Sequence, residues 1–346
     1  METGIGLDPT LRLSAAEQSD VIRAALQMGY TSAWTPAGAT SRDAFHVCAQ
    51  WSDTATQAGG AVAERFETGI AVVPIGHWTA PQLAATAGTV GELTGGRFIA
   101  GIGTGSAYVQ AQQDAYGQSA YPPIALMKDW LVVVRRLLAG ERVDYQGQTM
   151  KLQGVQLGFR PPRVPVYLGA LGPQMLRLGG EASDGVSLNW CTPAQIAWSR
   201  RRVVEGARRA GRDPSEVKVA EYIRICVDED VPAARRALAR ATLGYAMARR
   251  GASKAQGYRA HFARMGFGDL LDDLEARRDR GAPDEELFDA CPDDFLLATA
   301  YFGPPAGAGE AFRRLAKGLD TALVRVVPSG PGADAVLTTL DACRPQ

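Results

Sequence analysis

Two glycine-rich turns are the parts of this chain with the clearest chemical use. One runs Gly101-Ile102-Gly103-Thr104-Gly105, the other Gly169-Ala170-Leu171-Gly172-Pro173-Gln174. Each closes a short apolar run of strand character. Glycines leave no side chains to block a ligand, and exposed N–H groups in such turns can face phosphate oxygens. In the second turn Gly172-Pro173 opens a helical pattern, and a helix start with free N–H groups favours an anion. Neither turn is the dinucleotide fingerprint, because Ser106 stands where its third glycine falls. Either turn alone is equally well read as a tight βα connection. Following adjacent strands, the two together point to one shared phosphate site.

The other strand ends offer little acid–base chemistry. They carry Trp34 and Thr35, Val72-Val73-Pro74, His77-Trp78 and Asn189-Trp190-Cys191. Apolar and aromatic walls suit a flat ring system, although tryptophans also simply pack a core. His77 and Tyr108 are the candidate proton donors, and the plain alternative for His77 is a solvent-facing loop. No Ser/His/Asp or Cys/His arrangement and no paired carboxylates stand out, and three distant histidines make no metal site. Such a site leaves the hard chemistry to a cofactor.

The elements that would position these residues alternate regularly. Strands are expected at Thr3–Leu7, Tyr30–Trp34, Thr68–Val73, Phe98–Ile102, Val164–Leu168, Gly185–Asn189, Val217–Ile225 and Ala322–Val327. Near-continuous apolar runs of this kind are parallel strands covered by helices. Ser14-Ala15-Ala16-Glu17 is a capping box, and Thr79-Ala80-Pro81-Gln82 and Thr192-Pro193-Ala194-Gln195 start helices in a similar way. About eight strand–helix units predict a (β/α)₈ TIM barrel, with a doubly wound open sheet as the alternative. Its active site lies at the C-terminal strand ends. Two stretches exceed the plain repeat. Arg142–Leu152 reads as a hairpin turning near Gln146-Gly147, and residues 235–297 as a helical insertion before the last strand. That insertion carries the pairs Arg249-Arg250 and Arg277-Arg278, read as solvated faces or as grips for an acidic cofactor tail.

The totals narrow the classes. The chain has 346 residues, 46% hydrophobic, and 37 basic against 37 acidic side chains. A barrel of this length is expected as one domain over 1–346. Zero net charge gives no general attraction to nucleic acid or membrane. Five cysteines without a C-x-x-C pair suggest reduced thiols. With no signal-like N-terminus and no long apolar run, the expectation is a cytoplasmic protein.

Three stretches carry a family resemblance: Glu92-Leu93-Thr94-Gly95-Gly96-Arg97-Phe98 running into Gly101–Gly105, the segment from Val166 to Asn189, and Gly29-Tyr30-Thr31-Ser32-Ala33-Trp34. Here the chain resembles the bacterial luciferase-like superfamily, especially its coenzyme F420-dependent branch, which includes methylene-tetrahydromethanopterin reductase. The resemblance implies a deazaflavin or flavin across the barrel mouth. It implies a bulge with a non-proline cis peptide near Ile70-Ala71-Val72, backing the ring. The ring would rest by Trp34, Thr35, Val72 and Val73. The phosphate would meet Gly103, Thr104, Gly105 and the turn Gly169–Gln174. Trp78, Ser106, Asn189 and Trp190 would line the substrate pocket. Family members often dimerise, so a homodimer is implied.

The departures are informative. The sugar-phosphate dehydrogenases of that branch carry an acidic–His pair where this chain has Thr35-Pro36-Ala37-Gly38, and a glutamate where it has Ser106. The arginine common after the third strand is replaced by Trp78 or Thr79. Sugar-phosphate oxidation is therefore disfavoured. The leading expectation is hydride transfer between reduced F420 and a small molecule with a C=C or C=N bond. The alternatives are an FMN-dependent two-component monooxygenase and a non-catalytic cofactor-binding barrel.

Overall fold

Apolar β-branched runs and capped helices alternate from the first residues onward. A computed structural model of the protein describes residues 1–105, 121–330 and 332–345. Its strands are β1 (Glu2–Gly6), β2 (Ser32–Thr35), β3 (Glu67–Pro74), β4 (Phe98–Gly103), β5 (Val143–Gln146), β6 (Lys151–Val155), β7 (Val166–Gly169), β8 (Gly185–Asn189), β9 (Lys218–Val227), β10 (Ala300–Gly303) and β11 (Thr321–Val326). Eight of them, β1-β2-β3-β4-β7-β8-β9-β11, pair in parallel, and β11 returns to β1. The result is a closed (β/α)₈ TIM barrel. β5 and β6 form the hairpin, antiparallel, with Gly147 N–H donating to Met150 O at the turn.

Helix starts follow their caps. Ser14 Oγ accepts from Glu17 N–H while Glu17 Oε2 accepts from Ser14 N–H, and Thr79 and Thr192 cap Gln82 and Gln195. Between strands and helices lies a large apolar layer that includes Ile5, Ile70, Val73, Ile102, Leu168, Val186 and Ile223. The barrel interior holds a second cluster, Trp34, Ile99, Tyr167, Ala220, Tyr222 and Leu323. Large rings there face glycines: a Cβ on Gly69 would lie 2.7 Å from the Trp34 ring, and one on Gly185 2.5 Å from Tyr167.

One strand was not expected. β10 has four residues, too few to show a period, and it follows the helices Val231–Ala246, Gly257–Phe262, Gly268–Asp279, Asp284–Ala290 and Asp293–Leu297. β8 pairs with Lys218–Tyr222 of β9, and β10 takes over along Arg224–Val227. β11 pairs with Ala220–Ile225 of β9 at the same time, so β8 and β10 share the opposite edge. No helix among the described residues is long and apolar enough to cross a membrane.

Candidate active site

The third strand is bulged where it meets the fourth. Ile70 lies opposite Ala100 and Val73 opposite Ile102, so Ala71 and Val72 share Gly101 as their partner. The Ala71–Val72 peptide is cis, and the Val72 carbonyl accepts from Ala37 N–H at 3.3 Å. This geometry dictates nearby glycines. A Cβ on Gly101 would lie 2.1 Å from the Ile70 carbonyl oxygen, and Cβ atoms on Gly103 and Gly169 would lie 2.7 and 3.0 Å from Val72. Their missing side chains thus admit the bulge, a different use from the one the sequence suggested. Val72 itself is partly exposed between the ends of β4 and β7.

The two glycine turns leave the barrel side by side. β4 and β7 are in parallel register as far as Ile102 opposite Leu168. Beyond them, Gly105 takes φ +57°, and Thr104 is partly exposed. Gly172 begins the helix Pro173–Ala182 in extended conformation with no side-chain cap. A Cβ there would meet nothing within 4 Å. The first bond inside this helix is Leu176 N–H to Gly172 O, so its opening turn presents donors to the rim. Arg264 Nη2 donates to the neighbouring Leu171 carbonyl at 3.1 Å, placing a cation beside the same turn.

The other expected residues divide by face. Ile70, Val73 and Ala170 are buried in the layer beneath the helices, so they can offer the rim only backbone. Trp34 is fully buried inside the barrel, edge-on to Tyr167 at 5.6 Å, and Thr35 is buried above it. Trp78 packs edge-on against Phe45 of the helix Ala44–Ala58. His77 is exposed in the turn Ile75–His77. Gln174 is exposed at the helix start. Ser106 and Tyr108 lie outside the described residues.

The opposite side of the mouth holds residues that sequence reading passed over. Arg224 of β9 and Arg325 of β11 both face inward, in phase with Tyr222 and Leu323 of the interior cluster. Arg325 is ion-paired with Asp8 after β1. Arg224 Nη1 donates to Asn189 Oδ1 at 2.6 Å, and Asn189 Nδ2 donates to Tyr258 Oη at 2.6 Å. Trp190 was expected in an open pocket wall, but its ring is fully covered. Its backbone takes φ +57°, Arg224 lies 3.7 Å over the ring, and Tyr245 and Phe262 pack around it. The available signal was an arginine at an inward position of each of two apolar strands.

This architecture is matched over most of its length by known proteins. The profile described as luciferase-like monooxygenase matches residues 2–322. The chain belongs to that family. It is 32% identical over 232 residues to the 5,10-methylenetetrahydromethanopterin reductase of Methanolobus tindarius, covering 66% of this chain and 66% of that one. Matches to two further reductases of that name span about half of their length, 47% and 46%. It is also 26% identical over 318 residues to a putative coenzyme F420-dependent oxidoreductase of Mycobacterium tuberculosis, covering 84% of this chain and 88% of that one. Among solved structures, the F420-dependent tetrahydromethanopterin reductase of Methanopyrus kandleri superposes with a TM-score of 0.76 at 21% identity, over 98% of this chain and 97% of its own.

Within this luciferase-like barrel, two buried titratable groups flank Cys191. Burial pushes the Glu221 carboxyl up to about 8, while its Oε1 accepts from Cys191 N–H at 2.6 Å. Burial pushes His261 down to about 4. His261 Nε2 lies 2.8 Å from Trp190 O, which can only accept, so Nε2 carries the proton. The Cys191 thiol, 3.7 Å from His261, is itself raised well above its ordinary range by burial and is a packing residue rather than a nucleophile. Three arginines of the two pairs beyond β9 are engaged with neighbouring carboxylates: Arg250 and Arg278 with Asp279, and Arg277 with Asp273.

Proposed function

We propose that the chain is a coenzyme F420-dependent oxidoreductase that moves a hydride between the reduced deazaflavin and an unsaturated organic substrate with a C=C or C=N bond. The observation that carries this reading is the rim itself. The β3 bulge presents Val72 between the ends of β4 and β7, and the uncapped helix start at Gly172 opens beside it. Those residues fit a flat ring joined to an anionic chain. The names of the Methanolobus and Mycobacterium relatives agree with it.

In this reading Val72 backs one face of the ring. The helix-start N–H groups near Gly172 and Gln174, with Thr104 and Gly105 from the adjoining turn, would hold the phosphate. Trp34 and Tyr167 close the barrel beneath against water. Bound and reduced, the deazaflavin supplies a hydride. The residues of the mouth would hold the acceptor against the ring and limit its motion. Asn189 and its neighbours face the substrate from the other side of the mouth. His77 or Tyr108 would deliver the proton, with water as the alternative.

A reduced-FMN monooxygenase is the second reading, favoured by the description of the matched family. Titration of the purified protein with F420 and with FMN separates them, followed by single-turnover oxidation of reduced F420 with a panel of enones and imines. Sub-micromolar F420 binding and turnover with at least one panel member are expected. Tight FMN binding with negligible F420 affinity would end the first reading.

A further inference from the structure

Arg224 is a cation enclosed without a carboxylate. It is 2% exposed, and its Nη1 is used by Asn189 Oδ1 at 2.6 Å and Tyr222 O at 3.3 Å. One face of the guanidinium lies on Trp190, and the Tyr245 ring is 5.3 Å away. Nη2 makes no hydrogen bond of good geometry among the described residues, and the Tyr245 hydroxyl is the polar group that approaches the guanidinium. Two further buried polar atoms of the same inward-facing strand surfaces share that condition, Ser187 Oγ on β8 and Tyr222 Oη on β9.

The acidic groups nearby do not neutralise it. Asp8 is taken by Arg325. Glu221 is next in sequence to Tyr222 but projects to the other face of β9, where Cys191 N–H holds it. Its raised affinity for a proton leaves it mostly uncharged at neutral pH. A buried charge without an opposite charge is strongly unfavourable, and structures that keep one generally use it. Rings and amide dipoles stabilise a guanidinium in place, but they leave its charge uncancelled. A single guanidinium with uncommitted Nη2 donors matches a planar monoanion better than a phosphate dianion, which would call on a second free cation.

We propose that Arg224 is a specificity-determining residue that binds a carboxylate on the substrate, so that the physiological substrate is an unsaturated acid or carries a carboxylate near its reacting bond. This deepens the oxidoreductase reading and rests on it only for what happens to that substrate. Carboxylate recognition itself is measurable without turnover.

The experiment is calorimetric titration of the full-length protein with cinnamate and crotonate, and with cinnamide and crotonamide as neutral counterparts. It is run before and after saturation with whichever of F420 or FMN binds. The wild-type chain is expected to prefer each carboxylate over its amide at least tenfold. Arg224→Met erases that preference while melting no lower than the wild type, since an uncompensated buried charge is removed. Arg224→Lys keeps part of the preference. Equal affinities for acid and amide in the wild type overturn the proposal, as does an Arg224→Met protein that still discriminates. Should Arg224→Met fail to fold, Arg224→Lys decides: undiminished preference there overturns the assignment of the carboxylate to the Arg224 guanidinium. Loss of F420 binding in the wild type with the carboxylate preference intact sinks the cofactor reading alone.

Discussion

His261 Nε2 donates to the carbonyl oxygen of Trp190 across 2.8 Å, which fastens the helices beyond β9 to the end of β8. The ring must stay neutral to fit: its Nδ1 faces Arg264 Nη2 at 3.5 Å, and burial holds its proton affinity down to about 4, against 6.5 in the open chain. Below pH 6.5 the unfolded chain takes up a proton that the folded one refuses. Stability from this residue is therefore full above pH 6.5 and falls as pH drops towards 4, by on the order of 3 kcal/mol. Urea unfolding at pH 7 and pH 5 checks it. His261→Gln should lose less stability between the two pH values than the wild type.

Glu221 works in the opposite direction. Its carboxyl is protonated in the folded state up to about 8, whereas the unfolded carboxyl ionises near 4.5. Stability from this group is complete below pH 4.5 and is lost as pH rises through 8, by on the order of 5 kcal/mol. Glu221→Gln keeps an acceptor for Cys191 N–H and cannot ionise. Its melting temperature relative to wild type is expected to rise steadily from pH 5 to pH 8. A constant difference across that range would count against a neutral Glu221.

Gly172→Asp separates helix stability from ligand binding. The site is extended, uncapped and open, so an aspartate there caps the helix and faces its positive end. Thermal denaturation is expected to show unchanged or slightly higher stability, by up to about 1 kcal/mol. The same charge repels a phosphate, so affinity for F420 or FMN should fall at least tenfold by fluorescence titration. Unaltered affinity would remove the phosphate from this turn.

The bulge glycines should respond unequally to alanine. At Gly101 the added methyl meets a backbone oxygen at 2.1 Å, and neither strand can yield. A loss of about 3 kcal/mol or more is expected, read by denaturant titration. At Gly169 the methyl meets the Val72 side chain at 3.0 Å, which can turn. There stability should fall by under about 1.5 kcal/mol while cofactor affinity drops, because Val72 is displaced from its place between the strands.

Strand runs such as Phe98–Gly103 and helix caps such as Ser14–Glu17 were legible because their signals are local: continuous apolar residues, or a hydroxyl three residues before a carboxylate. β10 was not, since Ala300–Gly303 is four residues long and earns its strand geometry only by lying along Arg224–Val227. The bulge at Ala71–Val72 was expected through family resemblance, while the collision that makes Gly101 obligatory appears only when β3 and β4 are paired. The substrate side was the least legible. Asn189 meets Tyr258 across 69 positions of sequence and Trp190 meets His261 across 71, distances at which no local pattern reports contact. Arg224 was visible in its strand all along, but a charged residue in an apolar run was read as part of the run.

β9 is ten residues long and serves β8 first and β10 afterwards along one edge. Part of what surrounds Arg224 therefore comes from chain beyond β9, Tyr245 beside the guanidinium and Tyr258 on its partner Asn189, whereas Val72 and Gly172 hang on β3 and β7 on the far wall. Mutations accumulating in the covering helices can retune which molecules are accepted while the opposite wall stays untouched. A descendant of this protein could change its diet without relearning how to hold its redox partner.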